Sequence, residues 1–100
     1  MRMIVNVVIP EEPFNNLVRK GTAGETIQKI VAAIKPEAIY FTEQDGHRGA
    51  MMVVQMKDAS DIPSIAEPFY LAFNAKCHFR VAMTPEDLAK SALDKIAKTY

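Results

Sequence analysis

The sequence predicts a single α+β domain covering residues 1–100, with strand and helix order βαββαβ and one added helix at the C terminus. Three observations predict it. Met3 to Ile9 is a β-branched run closed by Pro10. Ala38 to Glu43 and Ala50 to Lys57 are strand-like runs on either side of Asp45-Gly46, a strong hairpin signal. Stretches of helical apolar spacing follow the first and third of these runs, and a strictly alternating strand follows the second stretch.

Taken in order, Met3 to Ile9 reads as a buried strand because β-branched side chains fit a pleated surface. From Glu11 to Lys35, Phe14, Leu17, Val18, Ile27, Ile30, Val31 and Ile34 keep a helical period until Pro36 stops it. Gly21 and Gly24 interrupt this stretch, and Thr22 with Glu25 has capping-box spacing, so a break at Gly21 is the alternative. One continuous helix is the preferred reading. It puts Leu17, Gly21, Gly24 and Gln28 on one stripe, where missing side chains would allow close approach to the sheet or a ligand. Asp58 to Pro63 supplies N-cap candidates and an early proline for a second helix with Ile62, Ile65, Ala66, Phe69 and Phe73 on its apolar face. Pro68 is expected to kink or split it. Ala75 to Met83 alternates Cys77, Phe79, Val81 and Met83 with Lys76, His78 and Arg80, the period of a half-buried strand. Thr84-Pro85-Glu86-Asp87 opens the last helix with a cap, a first-turn proline and two acids at the positive end of the helix dipole.

This order is the split βαβ, or ferredoxin-like, arrangement. Right-handed crossovers place both main helices on one face of an antiparallel sheet in the spatial order 4-1-3-2. Such a chain has room for one domain, burying roughly 60–65% of its unfolded surface without staples. Twelve Lys and Arg balance twelve Asp and Glu. No net field recruits phosphate backbones or anionic lipid, so nucleic acid and membrane are not expected as partners. Cys77 is the only cysteine, and the first apolar run is too short for a signal segment. The expected location is the cytoplasm.

If Met3, Val5, Val7, Ile9, Ile39, Phe41, Met52, Val54, Met56, Cys77, Phe79 and Val81 face the helices, the other face carries Ile4, Asn6, Val8, Tyr40, Thr42, Met51, Val53, Gln55, Lys76, His78 and Arg80. That face is too apolar for open water, and two copies packed through it would make a closed dimer. The run Lys35 to Gly46 (Lys-Pro-Glu-Ala-Ile-Tyr-Phe-Thr-Glu-Gln-Asp-Gly), Glu67-Pro68-Phe69 and Thr84 to Leu88 (Thr-Pro-Glu-Asp-Leu) are similar to stretches in small uncharacterised bacterial proteins. Through them the chain resembles the dimeric α/β-barrel superfamily over nearly its whole length. The resemblance implies the fold and a face-to-face homodimer. The superfamily includes cofactor-free oxygenases, haem-dependent enzymes, isomerases and proteins of no known activity, and it shares no universal catalytic residue.

The candidate pocket is Asn6, Tyr40, Gln55, His78 and Arg80, set among Ile4, Val8, Met51 and Val53 on the open face. A mostly apolar concavity with a few convergent polar groups suits a small apolar or anionic ligand. His78 would move a proton while Arg80 held a carboxylate or enolate. The competing reading leaves His78 and Arg80 solvated or paired across the dimer, with Asn6 bonded to a partner backbone. His47 and Arg48 read as a solvated hairpin tip in preference to a contact with a ligand or partner. Cys77 reads as a small core side chain and the strand methionines as packing. With two histidines and no Cys/His cluster, no metal site is predicted. No cofactor is predicted from the residues; haem, with His78 as axial ligand, enters by fold analogy alone. Arg48 to Gln55 echoes an RNA-recognition strand, but lacks the aromatic platforms that RNA stacking requires.

Three functions follow. The first is a homodimeric small-molecule-binding domain without an identifiable catalytic motif. The second is a cofactor-free oxygenase or isomerase using His78 as base and Arg80 or Asn6 to hold an enolate-like charge. The third is a structural or regulatory protein that meets its partner through the helix from Pro85 to Tyr100.

Overall fold

A computed structural model describes residues 1–100. The elements run β1 (Arg2–Ile9), α1 (Phe14–Lys20), α2 (Ala23–Ile34), β2 (Ala38–Gln44), β3 (His47–Gln55), a short 3-10 turn (Ala59–Asp61), α3 (Ile62–Phe73), β4 (Lys76–Val81), α4 (Pro85–Lys90) and α5 (Leu93–Ala97). All strand pairs are antiparallel and lie in the order β2-β3-β1-β4. This is the expected order read from the other edge.

The register puts the expected residues on the helix side. Val5 stands opposite Met52 and Phe79, and Val7 opposite Ala50 and Cys77. Val5, Val7, Ala50, Met52, Val54 and Met56 are buried there with Ile30, Ile65, Phe69 and Phe73 from the helices. Phe41 and Val81 share that side in register but stay 53% and 61% exposed, although Ile39, Cys77 and Phe79 on the same outer strands pack against the core. Phe14 joins α1 to α3, its ring 5.1 Å from that of Phe73. Cys77 is half-buried against the core, and burial pushes its thiol pKa up to about 11.

Four local expectations are corrected. The first helical stretch is two helices. Gly21 takes φ 76° and its N–H bonds the Val18 carbonyl, closing α1 in a left-handed turn that a side chain would strain. No atom stands within 4 Å of where a Cβ would sit on Gly21 or Gly24, so the glycine stripe marks this break and not a close approach. Second, α3 is not split at Pro68 and continues to Phe73. The proline removes an N–H that would serve the exposed Ser64 carbonyl, at a turn where water can take that bond. Third, the C-terminal helix is also two. Thr84 caps α4 through a reciprocal box with Asp87, and Ala92, at φ 53°, separates α4 from α5. Fourth, the hairpin is tighter than expected. Strands β2 and β3 continue to Gln44 and His47, leaving Asp45 (φ 53°) and Gly46 (φ 80°) as a two-residue turn. His47 and Arg48 are therefore strand residues.

Candidate functional site

Strand alternation arranges the side of the sheet without helices in transverse rows. Tyr40, Met51, Asn6 and His78 form one row across β2, β3, β1 and β4. Ala38, Val53, Ile4 and Arg80 form the next, and Thr42, Gly49, Val8 and Lys76 lie on the other side. Ile4, Val8, Met51 and Val53 make a half-exposed apolar centre with Asn6 among them, while Lys76, His78 and Arg80 line the β4 edge. The five expected pocket residues thus share one face, but they do not converge. Gln55 belongs to the far end, where its Nε2 donates to Glu37 Oε1 (3.2 Å). Arg2 grips the same carboxylate with Nε and Nη2 at 3.0–3.2 Å. These hydrogen bonds, Arg2 first, hold the Glu37 carboxyl below its ordinary pKa. Tyr40 is exposed on the β2 edge and Arg80 lies one row toward the Arg2 end.

The concavity forms at the opposite, hairpin end. A cleft of about 440 Å³ is lined by Val8, Pro10, Asp45, His47, Asn74, Lys76 and His78. Of the five expected polar residues only His78 reaches it, together with Val8 from their apolar surround. It brings both histidines of the chain and one ammonium to a single site beside one carboxylate. His47 is half-buried, and its Nδ1 lies 2.9 Å from Glu11 Oε1. A bond from its own backbone N–H and then the His47 ring hold the Glu11 carboxyl below its usual pKa.

Helix α1 builds this corner. The Asn15 N–H bonds the Glu11 carbonyl at 2.6 Å, so Glu11 leads into the first turn of α1. Arg48 Nη1 donates to Asn15 Oδ1 at 2.7 Å while its guanidinium lies 4.8 Å from the centroid of the Phe14 ring. His47 and Arg48 point to opposite sides of β3 and both hold the segment that starts α1. The two side chains still face solvent, as expected, but they also bond the segment that starts α1. With Nδ1 donating to Glu11, Nε2 of His47 is the nitrogen available to a ligand, the arrangement in which a carboxylate orients an imidazole for proton transfer. No group of three His, Cys, Asp or Glu side chains is placed to hold a metal ion.

One signal in the sequence pointed to His47: alternation carried back from Gln55, Val53 and Met51 through Gly49 puts it on the open face. A loop over residues 44–49 masks that alternation. The register that pairs Ile9 with Arg48 and so brings the start of the next segment beside His47 is visible only in the structure.

No protein-family model matches the chain, and no curated protein does. Solved structures do. The 5-chloro-2-hydroxyhydroquinone dehydrochlorinase TftG from Burkholderia phenoliruptrix AC1100, in complex with 2,5-dihydroxybenzoquinone, superposes with a TM-score of 0.56 at 14% identity. The match covers 87% of this chain and 99% of that one. The fold is ferredoxin-like. A de novo designed protein, Ferredog-Diesel, matches over 81% of this chain and 85% of its own at 9% identity, with a TM-score of 0.45. At these identities the likeness concerns fold alone. No helix of the chain is long and apolar enough to cross a membrane.

Proposed function

We propose that this protein is a small-molecule-binding domain that takes a small, oxygen-rich anionic ligand into the cleft at the hairpin end of its open sheet face, and that it works as a homodimer through that face. The observation carrying the ligand reading is the gathering of His47, His78 and Lys76 around one cleft that Asp45 also lines. A charge-assisted bond from the ammonium, with imidazole N–H donors beside it, favours carboxylate, phenolate or enolate oxygens. The ligand in the TftG complex, a dihydroxylated quinone, is a compound of that chemical class and supplies a first probe. The dimer reading rests on Ile4, Val8, Met51 and Val53, whose packing against a second copy would also roof the cleft.

The Glu11–His47 pair favours a second reading, an enzyme in which His47 rather than His78 is the general base. Proton removal from an acidic C–H or O–H would use Nε2, with Lys76 and His78 beside the developing oxyanion.

Calorimetric titration with 2,5-dihydroxybenzoquinone and a panel of small carboxylates tests the binding reading. Lys76→Ala and His78→Ala should each weaken binding about tenfold or more, the worth of one charge-assisted bond. Absence of binding at millimolar ligand, or equal binding by the variants, would overturn it. If binding holds, loss of turnover but not affinity in Glu11→Gln supports the enzyme reading.

A further inference from the structure

The cleft at the hairpin end has two unlike walls. Asp45 and His47 stand on the β2–β3 hairpin, and Asn74, Lys76 and His78 stand at the start of β4. Val8, near the end of β1, and Pro10, just after it, lie between them. Because β3 and β4 flank β1, the walls are two strand spacings apart, about 9.5 Å. A hydrogen bond takes about 2.8 Å at each end, which leaves room for one small ligand that touches both walls.

The walls also differ in sign. The β4 wall carries the Lys76 ammonium and the hairpin wall the Asp45 carboxylate. These two charges do not meet. The ion pairs of the chain are Arg2 with Glu37, Arg19 with Glu12 and His47 with Glu11, and neither Lys76 nor Asp45 takes part in one. Nor does the Asp45 carboxylate hold its own turn. Glu43 does that, its Oε2 accepting from the Gly46 N–H at 2.9 Å. An ionised carboxylate only accepts hydrogen bonds. An anion built of acceptor oxygens alone would therefore be held by Lys76 at one end and repelled by Asp45 at the other.

We infer that the ligand of this cleft is a hydroxylated anion, with its anionic oxygen toward Lys76 and His78 and a neutral O–H donating to Asp45. Asp45 is then the residue that selects for the hydroxyl. The inference rests on the binding reading above and names the ligand class. An analogue without the hydroxyl is rejected because it leaves the carboxylate facing it with no donor.

Benzoate and 4-hydroxybenzoate, which differ by one hydroxyl across the ring, provide the test when titrated near neutral pH and followed by amide shifts. The parent chain should bind 4-hydroxybenzoate about tenfold tighter, the worth of one hydrogen bond to a charged group. In Asp45→Gly, a change that a left-handed two-residue turn accepts, the preference should fall to within about twofold. Asp45→Asn keeps the turn and removes the charge, and should bind benzoate about threefold tighter than the parent does. Three results overturn the role of Asp45 and leave the binding reading standing: equal binding of the two acids by the parent, a preference that survives in Asp45→Gly, or benzoate binding that does not tighten in Asp45→Asn. No shift with either acid at millimolar concentration overturns both.

Discussion

Phe14 holds the corner on which the candidate site is built, and its truncation has a calculable cost. The ring is 7% exposed, pairs with Phe73 at 5.1 Å and a 60° tilt, and lies 4.8 Å under the Arg48 guanidinium. Phe14→Leu keeps much of the volume but gives up the aromatic pair, about 0.5–1.5 kcal/mol. It also gives up the cation–π contact, about 0.5–1 kcal/mol at a site of this exposure. The sum is about 1–2.5 kcal/mol. Phe14→Ala adds a cavity between α1 and α3 and should cost about 3–5 kcal/mol. Urea unfolding followed by circular dichroism, at one fixed protein concentration, measures both. Both variants should also weaken ligand binding, since Glu11 enters the site through the first turn of α1. If the leucine and alanine variants lose equal stability, or if either loses less than about 0.5 kcal/mol, the level ascribed to surface substitutions, the packing argument fails.

Further predictions concern the helix break, the acid–base groups and the open face. Gly21→Ala forces a side chain into a left-handed turn and should cost about 1–2 kcal/mol by the same urea assay. The depressed pKa of Glu11 contributes stability above its ordinary value of 4.5, lost as pH falls through the folded-state value; His47→Ala should move the Glu11 carboxyl titration, read by carbon NMR, part of the way up. The shift is partial because the backbone bond is the larger cause. Cys77 has the opposite sign. Its raised pKa means that stability falls as pH rises from about 9 to about 11, because the unfolded chain ionises first. At pH 8 its thiolate fraction should be about 100-fold below that of a thiol at pKa 9, so native chain should react with a maleimide far more slowly than unfolded chain. Val53→Lys, which puts a charge at the apolar centre of the open face, should leave the domain folded and give a monomer in light scattering where the proposed homodimer reading requires a dimer for the parent chain.

Much of the fold was legible because the strands speak plainly. The β-branched run of β1 and the alternation of Cys77, Phe79 and Val81 fix which side chains meet the helices, and one register satisfies both. Elements whose ends depend on one residue were harder to read. Gly21 breaks a helical period without disturbing it, since Leu17 and Ile27 on either side still face the core. Pro68 looked like a breaker yet sits where the lost bond faces solvent. The site was legible as a face and not as a place. Period-two alternation put His78, Arg80, Asn6 and Gln55 on one side, but their separation along that side depends on exact register and on what the turns bring alongside. Glu11 and Asn74, in connecting segments, reach the hairpin end only through tertiary packing.

The central claim is that a small anion binds where His47, Lys76 and His78 meet. Amide shift mapping with 2,5-dihydroxybenzoquinone tests it most directly. The predicted result is a set of perturbations at Val8, Asp45, His47, Asn74, Lys76 and His78, lost in Lys76→Ala. Perturbations centred instead on Thr26, Ala33 and Leu71, in the shallow apolar groove between α2 and α3, or no perturbation at any residue, would contradict it.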